Sequence, residues 1–157
     1  MNTIKFTRNL VKGRIAETIF SQMLRDAGVF TVLEFGYEKV IPELLQKEYD
    51  RDSTLIETLR VAPDFAVINQ TSREVSLVEV KYQRTLLPHY ILGYAEKMHA
   101  SWNPSHLFVA TLDGFYFDDV TTIIENDGKI KPLEHPQIPV EMQNNYLQIL
   151  RDFEEDN

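Results

Sequence analysis

Apolar and polar positions repeat with two different periods along this chain, and each change of period marks an element. Leu10, Val11, Ile15, Ile19, Phe20, Met23 and Leu24 recur at helical spacing. They predict a first helix over residues 7–27, closed by Gly28. Residues 29–40 are rich in β-branched and aromatic side chains and predict a strand. A helical excursion follows over 42–60, with Thr54 and Glu57 at capping-box spacing. Two further strands are predicted over 61–68 and 75–82, joined by a polar hairpin loop over 69–73. Ile91, Leu92, Ala95 and Met98 fall on one face of a second long helix over 87–102. A strand over 106–112 then turns at Asp113-Gly114 into another over 115–120. Met142, Tyr146, Ile149, Leu150 and Phe153 mark a final amphipathic helix, with Pro139 near its start. The order helix, three strands, helix, strand, then a C-terminal hairpin and helix, predicts an α/β fold with a mixed central sheet flanked by helices.

Size and composition narrow the class. A chain of 157 residues, 43% hydrophobic and 25% charged, fits one domain able to bury ~70% of its unfolded surface. It contains no cysteine, which excludes disulfides, Cys-ligated zinc, iron–sulfur clusters and thiol catalysis. No apolar run approaches the roughly 18 residues of a membrane span, and the first 14 residues lack the apolar core of a signal peptide. The expectation is a cytoplasmic protein with no membrane partner.

Charge changes the picture more. The net charge is −8, yet residues 1–100 balance 13 basic against 13 acidic residues, and residues 101–157 hold 3 against 11. An acidic total argues against a nonspecific nucleic-acid binder. The predicted first helix is nevertheless basic, with Lys5, Arg8, Lys12, Arg14 and Arg25, and it can face a phosphate backbone. Residues 152–156 read as a solubilising, frayed acidic end. The acidic C-terminal third is also a candidate surface for a protein partner or a second copy, and exposure of the apolar run over 115–120 would point to a homodimer.

One group of charges stands where packing does not ask for it. Strand alternation over 75–82 puts Val75, Leu77, Glu79 and Lys81 on one face. Both faces are apolar at the start of this strand, so it is expected to be central, with Glu79 and Lys81 emerging at its end. The hairpin brings Asp64, 15 residues earlier, close to both. On the first helix Glu17 points with Gly13, a residue that costs ~1 kcal/mol in a helix relative to alanine and would be kept for close approach of a backbone or a phosphate. Adjacent carboxylates repel unless a cation joins them. An all-oxygen site suits Mg²⁺, with Mn²⁺ able to substitute. A lysine beside such a metal orients a water, and the metal stabilises charge on phosphorus. The set suits phosphodiester hydrolysis.

Pro63-Asp64 followed by Glu79-Val80-Lys81 resembles the signature of the PD-(D/E)xK nuclease superfamily. Gly13-Arg14-Ile15-Ala16-Glu17 resembles the acidic motif on its first helix, closest in style to Holliday-junction resolvases and Mrr-like restriction endonucleases. The resemblance covers residues 7–112 and implies a restriction-endonuclease-like core. It implies that Asp64, Glu79 and the Val80 carbonyl bind Mg²⁺, that Lys81 positions the attacking water, and that Glu17 supports the metal directly or through water. It implies DNA as the partner and products with 5′-phosphate and 3′-hydroxyl ends. The family's variable polar residue on the following helix matches Tyr94 or Lys97. Gln83 and Arg84, with Lys12 and Arg14, are candidate phosphate contacts. The chain departs from resolvases in its acidity, its 42–60 excursion and its C-terminal extension.

Other chemistries find no support. His89, His99, His106 and His135 lack metal-ligand spacing, no Ser-His-Asp arrangement is legible, and no GxxxxGK[ST] run occurs. The alternative to a DNA endonuclease is a nuclease-fold subunit, catalytically silent or dependent on a partner, within a nucleoprotein assembly. RNA cleavage by the same site is a third reading.

Overall fold

The computed structural model describes residues 2–36, 58–59 and 61–155. Its elements are α1 (Asn2–Ala27), β1 (Phe30–Glu34), β2 (Phe65–Asn69), β3 (Val75–Tyr82), α2 (Pro88–Ser101), β4 (His106–Ala110), β5 (Phe115–Asp119), α3 (Val120–Glu125) and α4 (Val140–Glu155). The strands lie in chain order in one open five-stranded sheet. β1, β2 and β3 form an antiparallel meander, β4 runs parallel to β3, and β5 returns antiparallel to β4. The sheet is therefore mixed, with β3 at its centre, as the two apolar faces of residues 75–82 predict.

The pleat sends alternate side chains of the sheet into two cores. Val78 and Val80 of β3, with Phe65, Val67, Phe108 and Phe115, pack against Ala16, Ile19, Phe20 and Met23 of α1 and Leu147 and Leu150 of α4. Leu107 and Val109 face the other way, against Ile91, Ala95 and Met98 of α2 and Val120 and Ile123 of α3. The parallel β3–β4 step needs a crossover, and α2 supplies it. Gly28 ends α1 at a φ of +77°, a left-handed position that suits glycine.

Several boundaries differ from the sequence expectation. α1 starts five residues earlier than residue 7, because nothing in residues 2–6 breaks a helix that is already propagating. Leu10 and Val11 do not join its buried face: they are 48% and 38% exposed, and burial begins at Ala16. β1 ends at Glu34, and the rest of the predicted strand beyond residue 36 lies outside the described residues, as does the 42–60 excursion apart from Thr58 and Leu59. β2 starts only at Phe65, since Pro63 has no N–H to give a ladder and Asp64 meets β3 through its side chain while its carbonyl accepts the Phe35 amide at 2.9 Å. The predicted strand end at Val120 is the first residue of α3, whose N-cap Asp119 accepts a hydrogen bond from the Thr122 amide at 3.1 Å.

Two further expectations are corrected. The run over 115–120 offers no exposed apolar patch: Phe115 is 3% exposed and Val120 fully buried, so the basis for a homodimer through it falls away. The acidic segment from residue 152 is not frayed. It continues α4 to Glu155, and the Glu154 side chain is 6% exposed. Among the described residues no helix is long and apolar enough to cross a membrane.

Candidate active site

The end of the β2–β3 ladder builds the site. The last β2–β3 pair is Phe65 with Val78, so the Val80 amide lies past the end of β2. Asp64 supplies the missing acceptor: its Oδ2 takes the Val80 N–H at 2.8 Å. That bond fixes the carboxylate beside β3 at the level where Glu79 and Lys81 leave the sheet. Glu79 is held in turn by Lys81, whose Nζ lies 3.3 Å from Glu79 Oε2. The Lys81 ammonium also stands 4.7 Å from the centre of the Tyr94 ring on α2, a cation–π contact that restrains a long, flexible side chain.

These groups share one cleft of about 580 Å³, walled by α1 through Asn9, Lys12, Gly13 and Glu17 and by β3 through Glu79, Lys81 and Tyr82. A methyl group at Gly13 would meet no atom within 4 Å, so no neighbouring backbone explains the glycine and its place is open cleft wall. A second cavity of about 240 Å³ lies under the sheet's other end, against Phe20, Leu24 and Val67. None of the sequence-predicted site residues reaches it.

The electrostatics single out Glu79. Its side chain is 16% exposed. Burial first, and then the neighbouring Asp64 charge, push its carboxyl up to about 8, against the opposing pull of Lys81. A proton on either acid would form a hydrogen bond to the other. Glu79 Oε1 is buried and has no hydrogen-bond partner. Two adjacent carboxyl groups, one with an orphaned oxygen, fit a hard divalent cation with oxygen ligands, which would take the place of the shared proton. Among the described residues no group of three or more His, Cys, Asp or Glu side chains gathers to hold a metal. Glu17 lines the same cleft from the α1 side.

The other sequence candidates separate clearly. Tyr94 stands against Lys81, whereas Lys97 is exposed and away from the cleft. Arg14 is exposed and does not line the cleft. Gln83 is buried, and its Oε1 accepts the Leu87 amide at 2.9 Å at the start of α2, a structural bond. Lys12 and Arg84 do line the cleft, but both are engaged by Glu154 of α4. Lys12 Nζ lies 2.9 Å from Glu154 Oε1, Arg84 donates to Oε2 at 3.3 Å, and the Tyr82 hydroxyl donates to Oε1.

Tyr82, in the segment 82–84 that sequence offers as a phosphate contact, does line the cleft, whereas Glu154 and Asn9 are the residues that sequence reasoning missed. Asn9 carried a signal, since it lies one turn before Gly13 and two before Glu17 on one helical stripe. Glu154 carried none, being 72 residues from Tyr82. No protein-family model matches the chain, and no curated protein matches it.

Proposed function

We propose that this chain is a Mg²⁺-dependent DNA endonuclease with a restriction-endonuclease-like core. The observation that carries the reading is the meeting of Asp64, Glu79 and Lys81 at the end of the central strand, in a cleft with an orphaned carboxylate oxygen. A helix, a three-strand meander, a crossover helix and a parallel strand in that order support it, as do the Pro63-Asp64 and Glu79-Val80-Lys81 motifs.

Asp64, Glu79 and the Val80 carbonyl would hold the cation. A bound Mg²⁺ supplies charge neutralisation at the phosphoryl oxygens and a more acidic water. Lys81, steadied by Glu79 and Tyr94, orients the attacking water and stabilises the negative charge that grows on phosphorus. Glu17 adds a carboxylate on the α1 wall that can hold a second water. Lys12 supplies positive charge for the phosphate backbone. In-line attack by water leaves a 5′-phosphate and a 3′-hydroxyl.

One observation favours a second reading, a partner-dependent or silent nuclease-fold subunit. The cleft's Lys12 and Arg84 are both bound to an acidic side chain of the same chain, and the net charge is −8. Cleavage assays separate the two. Supercoiled plasmid, single strands and four-way junctions are incubated with Mg²⁺ or Mn²⁺ and with wild type, Asp64→Ala or Lys81→Ala. The nuclease reading expects cleavage by wild type and a loss of at least about 100-fold in each folded variant, in the range of a lost charge-stabilising group. No cleavage of any substrate by wild type would transfer the weight to the binding subunit. Cleavage surviving both substitutions would remove this site from the chemistry.

A further inference from the structure

The engagement of Glu154 is more than a surface ion pair. Its carboxylate receives three donors: Lys12 of α1, Tyr82 at the end of β3, and Arg84 in the loop just beyond it. Lys12 also stands 5.8 Å from the centre of the Tyr82 ring. The Glu154 side chain is 6% exposed, and that of Lys12 is 16% exposed. Burial raises the Glu154 carboxyl, but the hydrogen bonds from Tyr82 and Lys12 and the charges of Lys12 and Arg84 outweigh it and hold it below the usual carboxylate range. Glu154 is therefore an anion in this pocket.

A pocket with one ammonium, one guanidinium and one hydroxyl converging on an anion is built for a tetrahedral phosphate as much as for a carboxylate. Its members Lys12, Tyr82 and Arg84 line the same cleft as Asp64, Glu79 and Lys81. The pocket thus lies where a phosphate one or more nucleotides from the scissile bond would run. We propose that Lys12, Tyr82 and Arg84 form a subsite for a non-reacting backbone phosphate, and that Glu154 of the chain's own C-terminal helix fills it in competition with nucleic acid. The inference rests on the nuclease reading for the identity of its ligand. It explains how an acidic protein keeps a basic cleft wall: the wall is closed by an internal anion until a polyanion displaces it. Binding is weakened by the fraction of molecules in which the subsite is free.

The test uses the full chain and fluorescein-labelled 20-mer DNA, duplex and single-stranded, in EDTA so that no cleavage occurs. Anisotropy gives affinity as a function of salt. Glu154→Gln keeps the shape and removes the charge. The expected result is binding about fivefold tighter at moderate salt, with a log–log salt slope steeper by about one to two as two cations become available to phosphate. Asp152→Asn removes an equal charge from the same helix away from the pocket and is expected to change affinity little. Adding Lys12→Ala and Arg84→Ala to Glu154→Gln is expected to abolish the gain.

Equal affinity of Glu154→Gln and wild type would overturn the proposal, as would a gain matched by Asp152→Asn or one that survives loss of both cations. Thermal melting checks the fold, and Glu154→Asp, which keeps the charge but shortens the reach, gives a milder variant expected to shift affinity the same way. Cleavage by wild type without tighter binding by Glu154→Gln would sink this inference alone. Tighter binding by Glu154→Gln without cleavage by any form would sink the hydrolytic reading alone.

Discussion

Asp64 and Glu79 are two acids that the backbone forces together. Asp64 is tied to the Val80 amide because β2 begins at Phe65, opposite Val78, two residues short of a backbone partner for Val80. Glu79 is the neighbour of Val80 on a central strand and cannot move away. The cost of that juxtaposition appears as the raised Glu79 carboxyl, pushed from 4.5 to about 8 by burial first and by Asp64 second. The folded protein then holds a proton that the unfolded chain has already released. Stability associated with it is complete below about pH 4.5 and is lost as pH rises through about 8. Glu79→Gln cannot ionise and escapes that loss. Thermal melting in the absence of divalent metal should show the variant gaining on wild type steadily between about pH 5 and pH 9, with the gain levelling off above that range. A difference in melting temperature that stays constant with pH would mean that Glu79 is an ordinary ionised carboxylate.

At the scale of elements, α4 decides whether the acidic C-terminal third is fold or appendage. Leu147 and Leu150 are buried in the same core as Phe20 of α1 and Phe108 of β4. The Tyr146 hydroxyl donates to Asp26, and Gln143 Nε2 donates to the Leu133 and Ile138 carbonyls at 3.1 and 3.0 Å. Leu150 is fully buried, so Leu150→Ala should cost about 2–5 kcal/mol in urea unfolding. A cost below about 0.5 kcal/mol, typical of a surface change, would show that α4 does not belong to the core.

What sequence made legible follows the same physics. β3 falls on residues 75–82 as its two-sided apolar pattern predicts, and the hairpin that brings Asp64 to Glu79 is local. Asn69 Oδ1 caps its turn by accepting the Thr71 and Ser72 amides. α3 was not legible, because Val120-Thr121-Thr122-Ile123-Ile124 is β-branched throughout and reads as strand. Its only helical signal is the N-cap Asp119. The engagement of Lys12 and Arg84 was also hidden, since their spacing says nothing of a partner that arrives on a helix from the far end of the chain.

Over the whole molecule, charge is segregated in sequence but not in space. The basic first helix and the acidic last helix meet at the cleft, where Lys12 and Glu154 pair. The fold therefore places a like-charge pair, Asp64 with Glu79, in a cleft whose wall residues Lys12 and Arg84 pair with Glu154. The Glu154 group sets two cations against one carboxylate, while the like-charge pair sets a single ammonium against two acids. On the proposed reading a divalent cation would bind between those acids, and Mn²⁺ binding followed by paramagnetic broadening of assigned amide resonances would read its position directly. Broadening should begin at Asp64, Glu79 and Val80, and Glu79→Gln should weaken it by at least about tenfold, as loss of a metal-site group does. Broadening that starts elsewhere on this acidic surface, or that is unchanged in Glu79→Gln, would contradict the metal site and with it the hydrolytic reading.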